Sequence, residues 1–409
     1  MTKFKVVNSK KFKTNQIAFQ FVFPLQEETA GKMAVLLNIM VDRCLKYSTK
    51  QMMSNHLDSL YGASLANNVV AYGKSQMLEI SMNFLNDAYV ENSILEDIVK
   101  FLAELIFHPL ITEETVKEAK ELHHNALLRN LENPTAYLRK KAFQTAGTNQ
   151  PLSIYVNGRE EETLNFSLED MQEAYEILLQ NSVTWLHLIG DVDETEVLAI
   201  FSRYFNATDC KGSPESYYHF LPEKVNEIVE DREFGQSYIT LLYNHEIDIL
   251  HKNYPALLLG NALFGQLPIS FLFQEIREKR SLCYSIHSTL LAYDTMLSAS
   301  AGIQAGTEEE VSRLVQEQLT TICKGDFSEE LLDTAKEMLV NVFQSSFDYQ
   351  SSIVGFEFQN SLLNRVRSIE DVIRGIQDVK KTAVIEVMSS LKLNTIYTLK
   401  GAEHEEDYE

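Results

Sequence analysis

The sequence predicts an α+β protein made of two tandem, duplicated α/β domains, each a mainly antiparallel sheet that helices cover on one face. The chain has 409 residues, too many for one typical hydrophobic core, and 45% of them are hydrophobic, so two cores are expected. Short turns join strand-like segments, as in antiparallel sheets. Motifs of the first half recur in the second half in the same order, which indicates a duplication.

Hydrophobic periodicity places the elements of the first half. Ala30–Lys46 is apolar over much of its surface, which predicts a buried helix, and Gly73-Lys74-Ser75 predicts a hairpin turn. Ser167 and Asp170 have the spacing of a capping pair that opens a helix. The predicted strands are 16–23, 64–72, 77–84 and 184–189, and the predicted helices are 30–46, 51–60, 90–107, 112–132 and one after Ser167.

The second half is organised around the stretch Leu267–Ala292. Phe271, Phe273 and Ile276 have helical spacing, and a strand-like run, Leu282–Leu291, follows a charged helix end. The other predicted strands are 238–243, 297–303 and 395–399, and the other predicted helices are 254–263, 308–323, 328–347 and one from Ser368.

The internal repeat consists of three collinear matches. Thr112-Glu113-Glu114 and Asn125 recur as Ser328-Glu329-Glu330 and Asn341, Ser167-Leu168-Glu169-Asp170 as Ser368-Ile369-Glu370-Asp371, and Thr184, Leu188 and Gly190 as Thr395, Leu399 and Gly401. The sequence therefore predicts an N-terminal domain over 1–208, a linker over 209–224 that is rich in turn formers, and a C-terminal domain over 225–409. The polar residues 402–409 are expected to be disordered.

The charge balance excludes some classes of partner. The chain carries 36 Lys+Arg and 58 Asp+Glu, a net charge of −22, which would repel nucleic acid and anionic lipid. Its four cysteines are far apart and form no CxxC pair, which is typical of a reducing compartment. The first residues show no signal-peptide pattern, and the longest apolar run, Met33–Val41, is about half a membrane span. We expect a cytoplasmic protein without a membrane span.

The two-domain plan, the buried early helix, the Glu-rich helix 112–132 and the REKRSLCYS segment that follows Ile276 together resemble the pitrilysin/insulinase family of zinc peptidases. The likeness is to the two-domain, processing-peptidase-type branch, and it implies the LuxS-like metallohydrolase fold. Active members of that family carry H-x-x-E-H on the early helix and a third zinc ligand, a glutamate, on the Glu-rich helix. Residues i, i+3 and i+4 share one helix face, so such side chains can converge on one ion.

This chain departs from the zinc motif of that family. The resemblance places Val35, Asn38 and Ile39 where the two histidines and the glutamate would be, and Asn125 at the third ligand. Aliphatic side chains cannot bind zinc, and a neutral amide is a poor substitute. His123 and His124 point about 100° apart on a helix and do not complete a ligand set. We therefore expect no metal and no cofactor in this chain.

Arg277 and Tyr284 match the second-domain pair of the family. The resemblance implies that Arg277 holds the substrate backbone and that Tyr284 donates a hydrogen bond to an oxyanion. It also implies that the chain is the non-catalytic subunit of a heterodimeric zinc peptidase. The expected partners are a catalytic subunit of similar length, which would carry H-x-x-E-H and the zinc, and an extended peptide substrate.

Other interpretations of the same residues remain open. Arg277 lies in a charge run, which is usually solvated, and Tyr284 could be an ordinary strand aromatic. The chain could then be a homo-oligomeric peptide-binding or scaffold protein without catalysis. A hydrolase with relocated ligands is the third alternative.

Overall fold

The computed structural model describes residues 2–206 and 214–401, and ten strands lie within them. The strands are β1 Thr2–Asn8, β2 Thr14–Pro24, β3 Ser64–Tyr72, β4 Ser75–Leu85, β5 Val183–Gly190, β6 Asn226–Asp231, β7 Ser237–Asn244, β8 Cys283–Leu291, β9 Met296–Ile303 and β10 Lys392–Lys400. Residues 209–213 of the predicted linker and the predicted disordered tail, 402–409, lie outside the described residues.

The same residues contain fourteen α-helices. They are α1 Glu27–Asp42, α2 Lys50–Ser59, α3 Leu95–Phe107, α4 Glu113–Glu132, α5 Pro134–Ala146, α6 Glu160–Thr163, α7 Leu168–Asn181, α8 Glu194–Tyr204, α9 Tyr254–Asn261, α10 Glu308–Lys324, α11 Glu329–Ser346, α12 Gln350–Leu362, α13 Ile369–Gln377 and α14 Lys381–Ser389. None of these helices is long and apolar enough to cross a membrane.

The two sheets have the same strand order, which confirms the predicted α+β class. The first sheet runs β1-β5-β2-β4-β3 and the second β6-β10-β7-β9-β8. In each sheet one outer pair is parallel, β1 with β5 in the first sheet and β6 with β10 in the second, and the other three ladders are antiparallel. The predicted capping pairs both form complete capping boxes, at Ser167 with Asp170 and at Ser368 with Asp371.

The chain forms two compact units that interleave along the sequence. Unit 1 comprises the described residues of Met1–Leu128, Ile154–Ser216 and Ser346–Val366, and unit 2 those of Arg129–Ser153, Tyr217–Ser345 and Arg367–Glu409. Each unit therefore contains one helix from the opposite half of the chain, α12 in unit 1 and α5 in unit 2. The predicted domains, 1–208 and 225–409, are consecutive segments, so the prediction left α5 in the first domain and α12 in the second.

In unit 1, α1, α3, α7 and α8 cover one face of the sheet, and α12 covers the other. Phe358 of α12 packs edge-on against Trp185 of β5. At the start of α12, the Gln350 Nε2 donates to the backbone oxygens of Thr14 and Ile189, at 2.7 and 3.2 Å. Helices thus cover both faces of this sheet, whereas the sequence predicted cover on one face only.

Unit 2 repeats this arrangement with α5. Leu138 and Ala142 of α5 pack with Leu242, Tyr397 and Leu399 on the face of the second sheet opposite α10. The third match of the sequence repeat is out of phase, because Leu399 faces the exchanged helix whereas Leu188 lies in the main core of unit 1. A shift of one residue along a strand moves a side chain to the other face.

Two of the elements that sequence reasoning missed are the edge strands β1 and β6. Lysines alternate through β1, and acidic residues form half of β6, so neither shows the apolar pattern of a central strand. Charged side chains are common on edges, where they oppose pairing with other chains. The helices α5, α6, α8, α12 and α14 were also not predicted.

A buried carboxyl in unit 2 gives a prediction about pH. Burial raises the pKa of Asp294 to about 6, although its hydrogen bond from the Tyr218 hydroxyl, at 2.9 Å, acts in the opposite direction. Between the ordinary pKa of an aspartate and about 6, the folded chain therefore holds a proton that the unfolded chain has lost. The contribution of Asp294 to the free energy of unfolding should therefore fall as the pH rises through this interval and level off above it.

Asp294→Asn is expected to remove this loss, because the amide oxygen can still accept from Tyr218 and carries no charge. Denaturant unfolding of the variant and the wild-type protein at pH 4, 6 and 8 measures the effect. Asp333→Asn, at an exposed aspartate on α11, is the matched control. Equal pH slopes for wild type and Asp294→Asn would contradict the prediction.

Candidate functional site

The positions that would carry the zinc histidines are part of the hydrophobic core of unit 1. Val35 and Ile39 are each 0% exposed, and they belong to the main core cluster together with Val116 and Ala119 of α4. α1 is buried along most of its length because its apolar residues occupy nearly every helix face. This part of α1 thus contributes packing and no metal ligands.

Asn38 lies in a short polar chain beside this core. The Asn67 amide on β3 donates to Asn38 Oδ1 at 2.9 Å, and Asn38 Nδ2 lies 3.3 Å from Nδ1 of His123 on α4. His123 Nε2 is 2.8 Å from the backbone oxygen of Asn157. Burial lowers the pKa of His123, so the neutral imidazole accepts from Asn38 and donates to the carbonyl. This chain of hydrogen bonds joins α1, α4 and the edge strand β3.

The structure places His123, not Asn125, opposite Asn38. Asn125 is exposed, because two residues along an α-helix correspond to a rotation of about 200°. The sequence contains a signal for the buried face of α4: Val116, Ala119, His123 and Leu127 follow the 3–4 spacing of one helix face. The third-ligand position at Asn125 stays a prediction from the resemblance, and the residue of α4 that contacts Asn38 is His123.

No group of three or more His, Cys, Asp or Glu side chains that could hold a metal ion occurs in residues 2–206 and 214–401. In unit 1 the three positions on α1 offer one amide and two aliphatic side chains. With His123, the donors of this site are one amide and one imidazole, which is too few for a zinc centre.

Arg277 and Tyr284 do come together in unit 2. Arg277 lies in a π-helical segment, Phe273–Lys279, and its guanidinium carbon is 4.4 Å from the centre of the Phe273 ring and 5.7 Å from that of the Tyr284 ring. π-helical turns are rare in proteins, and those that occur are often found at functional sites. Cation–π attraction to the two rings favours this position of the guanidinium. Phe273 is a member of this site that sequence reasoning assigned only to helix packing.

Tyr284 projects from an irregularity at the start of β8. The ladder between β8 and β9 shifts register between Cys283 and Ser285, so that Tyr284 is the extra residue of a β-bulge. Bulges redirect side chains at sheet edges, and β8 pairs only with β9 among the described strands. Tyr284 is 86% exposed, an unusual state for a large aromatic residue. Its hydroxyl and the Arg277 guanidinium are thus available to a ligand beside an edge strand.

Comparison with known proteins identifies the family. Residues 165–339 match the family described as "Peptidase M16 inactive domain". The chain is 25% identical over 406 residues to the "Probable inactive metalloprotease YmfF" of Bacillus subtilis (strain 168), an alignment that covers 97% of this chain and 95% of that protein.

Two solved structures share the fold of this chain over nearly its whole length. A conserved protein from Enterococcus faecalis V583 matches with a TM-score of 0.91 and 27% identity, over 98% of this chain and 97% of that one. A peptidase M16 inactive domain from Pseudomonas fluorescens shares the fold, with a TM-score of 0.81 and 19% identity over 98% and 96% of the two chains. The chain is therefore an inactive homologue of the M16 peptidases, the pitrilysin/insulinase family that its motifs resemble.

Proposed function

We propose that this chain is the non-catalytic subunit of a heterodimeric, cytoplasmic zinc peptidase. Its partner would be a subunit of similar length that carries H-x-x-E-H and holds the zinc, and this chain would bind no metal or cofactor itself. The observation that carries the proposal is the contrast between the two units. The histidine positions of unit 1 are filled by core side chains, whereas in unit 2 the half-buried Arg277 lies beside the exposed Tyr284.

In this proposal Arg277 and Tyr284 act in the active site of the partner. The Tyr284 hydroxyl would donate a hydrogen bond to the oxyanion that forms when the peptide carbonyl is attacked, and Arg277 would bind the substrate backbone. A preformed donor is more effective than water at stabilising such a charge, because it does not have to reorient. The cation–π contacts of Arg277 with Phe273 and Tyr284 support this role, because they fix the guanidinium before substrate binds.

The proposed substrate is an extended peptide that adds as a strand to a sheet edge. Among the described residues, two edge strands offer an unpaired side close to the candidate sites. They are β3, whose Asn67 donates to Asn38, and β8, which carries Tyr284 near its start. Strand addition satisfies the backbone groups of the peptide and of the edge strand at once.

The test uses a chain of similar length with an H-x-x-E-H motif, encoded next to this one, as the candidate partner. We expect the isolated protein to cleave no peptide from a library and to contain no stoichiometric zinc, and the mixture to form a 1:1 complex that cleaves. Tyr284→Phe should then lower kcat by about 10²- to 10³-fold, the usual effect of losing one oxyanion donor, while the complex still assembles.

Tyr349→Phe is the matched control, because Tyr349 is also an exposed tyrosine, 67% accessible, and lies in unit 1. Full activity of the Tyr284→Phe complex would refute the proposed role of Tyr284. A stable homo-oligomer that binds peptides but no such partner would instead support the scaffold alternative.

A further inference from the structure

Unit 2 has an open groove where unit 1 has a packed helix. The groove measures about 860 Å³ and lies between α10 and the strands β6 and β10, and Val229, Ile239 and Ile396 supply its apolar floor. Val229 is 68% exposed. Val229 therefore leaves the β6 side of this floor open to solvent.

The duplicated topology shows what belongs at this place. In unit 1, α8 follows β5 and packs on the edge strand β1 and on α3. Val197, Ile200 and Phe201 of α8 are buried, and Phe201 meets the Phe4 ring of β1 edge-on at 5.4 Å. β6, β10 and α10 take the places of β1, β5 and α3 in unit 2. Among residues 214–401 no helix occupies the equivalent place over β6 and β10, so the groove is open in the part of the chain that the structure describes.

We infer that this groove is a docking site for a basic amphipathic helix of a partner protein. The site is geometrically that of α8, so it suits a helix with apolar residues at i, i+3 and i+4. Charge selects the kind of helix: five acidic and three basic side chains line the groove, and Glu227 of β6 lies at the position where β1 carries Phe4. A helix with lysine or arginine beside its apolar stripe complements this lining.

Two other occupants fit less well. Five of the eight residues 402–409 are acidic, so their charge complements this lining, which has more acidic than basic side chains, less well than a basic helix does. A second copy of the chain, with its net charge of −22, would be repelled as a whole. A basic partner helix is therefore the occupant that the charges favour, and this inference does not depend on the proposed peptidase role.

The probe is a fluorescent, N-acetylated peptide with the α8 sequence and the changes Glu196→Lys, Ala199→Lys and Ser202→Lys, all at exposed positions of α8. We expect saturable binding to the full chain by fluorescence anisotropy. A peptide of the same composition, scrambled so that its apolar residues do not share a face, should bind at least tenfold more weakly. This comparison separates docking from unspecific attraction to an acidic protein.

Val229→Glu should weaken binding of the probe by roughly tenfold or more, the effect of losing one central contact. Val342→Glu is the matched control, since Val342 is 47% exposed on α11 in the same unit and does not line the groove. Equal binding of the two peptides, or equal losses with the two variants, would overturn the inference.

Tighter binding by a chain truncated after Gly401 would identify 402–409 as the occupant, and a dimer that Val229→Glu dissociates would identify a second copy. Either result would also overturn it.

Discussion

A fragment comprising residues 1–208 is expected not to fold by itself, although it contains every strand of the first sheet. It lacks α12, so one face of that sheet would lose its cover. Trp185, His187 and Ile189, each at most 1% exposed in the structure, would meet water. Burial of one large apolar side chain contributes about 1.5–3 kcal/mol. The loss of α12, including Phe358, is therefore comparable with the whole stability of a domain, roughly 5–15 kcal/mol.

Coexpression with residues 209–409 should restore a folded, soluble complex, since each fragment then supplies the helix that the other lacks. Solubility, near-ultraviolet circular dichroism and size-exclusion chromatography provide the measurements. Phe358→Ala in the second fragment should weaken the complex strongly, whereas Val366→Ala, at a fully exposed position of unit 1, should not. A monodisperse fragment 1–208 with native near-ultraviolet signals would contradict the prediction.

Introducing two histidines into α1 is expected to create a zinc site with His123. In Val35→His/Ile39→His, two imidazoles lie at positions i and i+4 of one helix, beside Asn38, which already contacts His123. Three histidines leave the fourth tetrahedral position to water. Each buried polar substitution costs about 1–3 kcal/mol when unpaired, and zinc binding offsets this cost. We expect stoichiometric zinc by metal analysis and a rise in melting temperature on its addition.

Two further variants test the assignment of His123. Adding His123→Ala should lower the affinity for zinc by about tenfold or more, the effect of removing one of three ligands. Adding Asn125→Ala should leave the affinity unchanged, because Asn125 is exposed. If the double variant is folded by circular dichroism but holds no zinc, or if His123→Ala has no effect, the position assigned to His123 on α4 is wrong.

Much of the fold was predictable because periodicity and capping are local. The alternating apolar residues of β2 and β4, the buried character of α1 and the two capping boxes arise from neighbours within a few residues, and the structure contains each of them. The buried face of α4, which contains His123, was readable from the same kind of signal, whereas the resemblance placed the third-ligand position at Asn125, which is exposed.

The exchange of α5 and α12 could not be predicted in this way. Both helices have weak amphipathic patterns, and nothing in a local pattern states which sheet a helix will cover. That choice depends on pairs such as Trp185 with Phe358, which are far apart in the sequence. The proximity of Arg277 and Tyr284 likewise depends on a π-helical turn and a β-bulge, two irregularities that apolar periodicity does not reveal.

The sequence by itself determined the duplicated α+β plan, the membership of the chain among M16 homologues and the replacement of the zinc motif by Val35, Asn38 and Ile39. These are properties of residue identity and spacing. Only the tertiary structure decided that each sheet is covered by a helix from the other half, that His123 faces Asn38, and that Arg277 lies beside an exposed Tyr284. These features depend on packing between distant segments, where the burial of apolar surface selects one arrangement among many that local preferences allow.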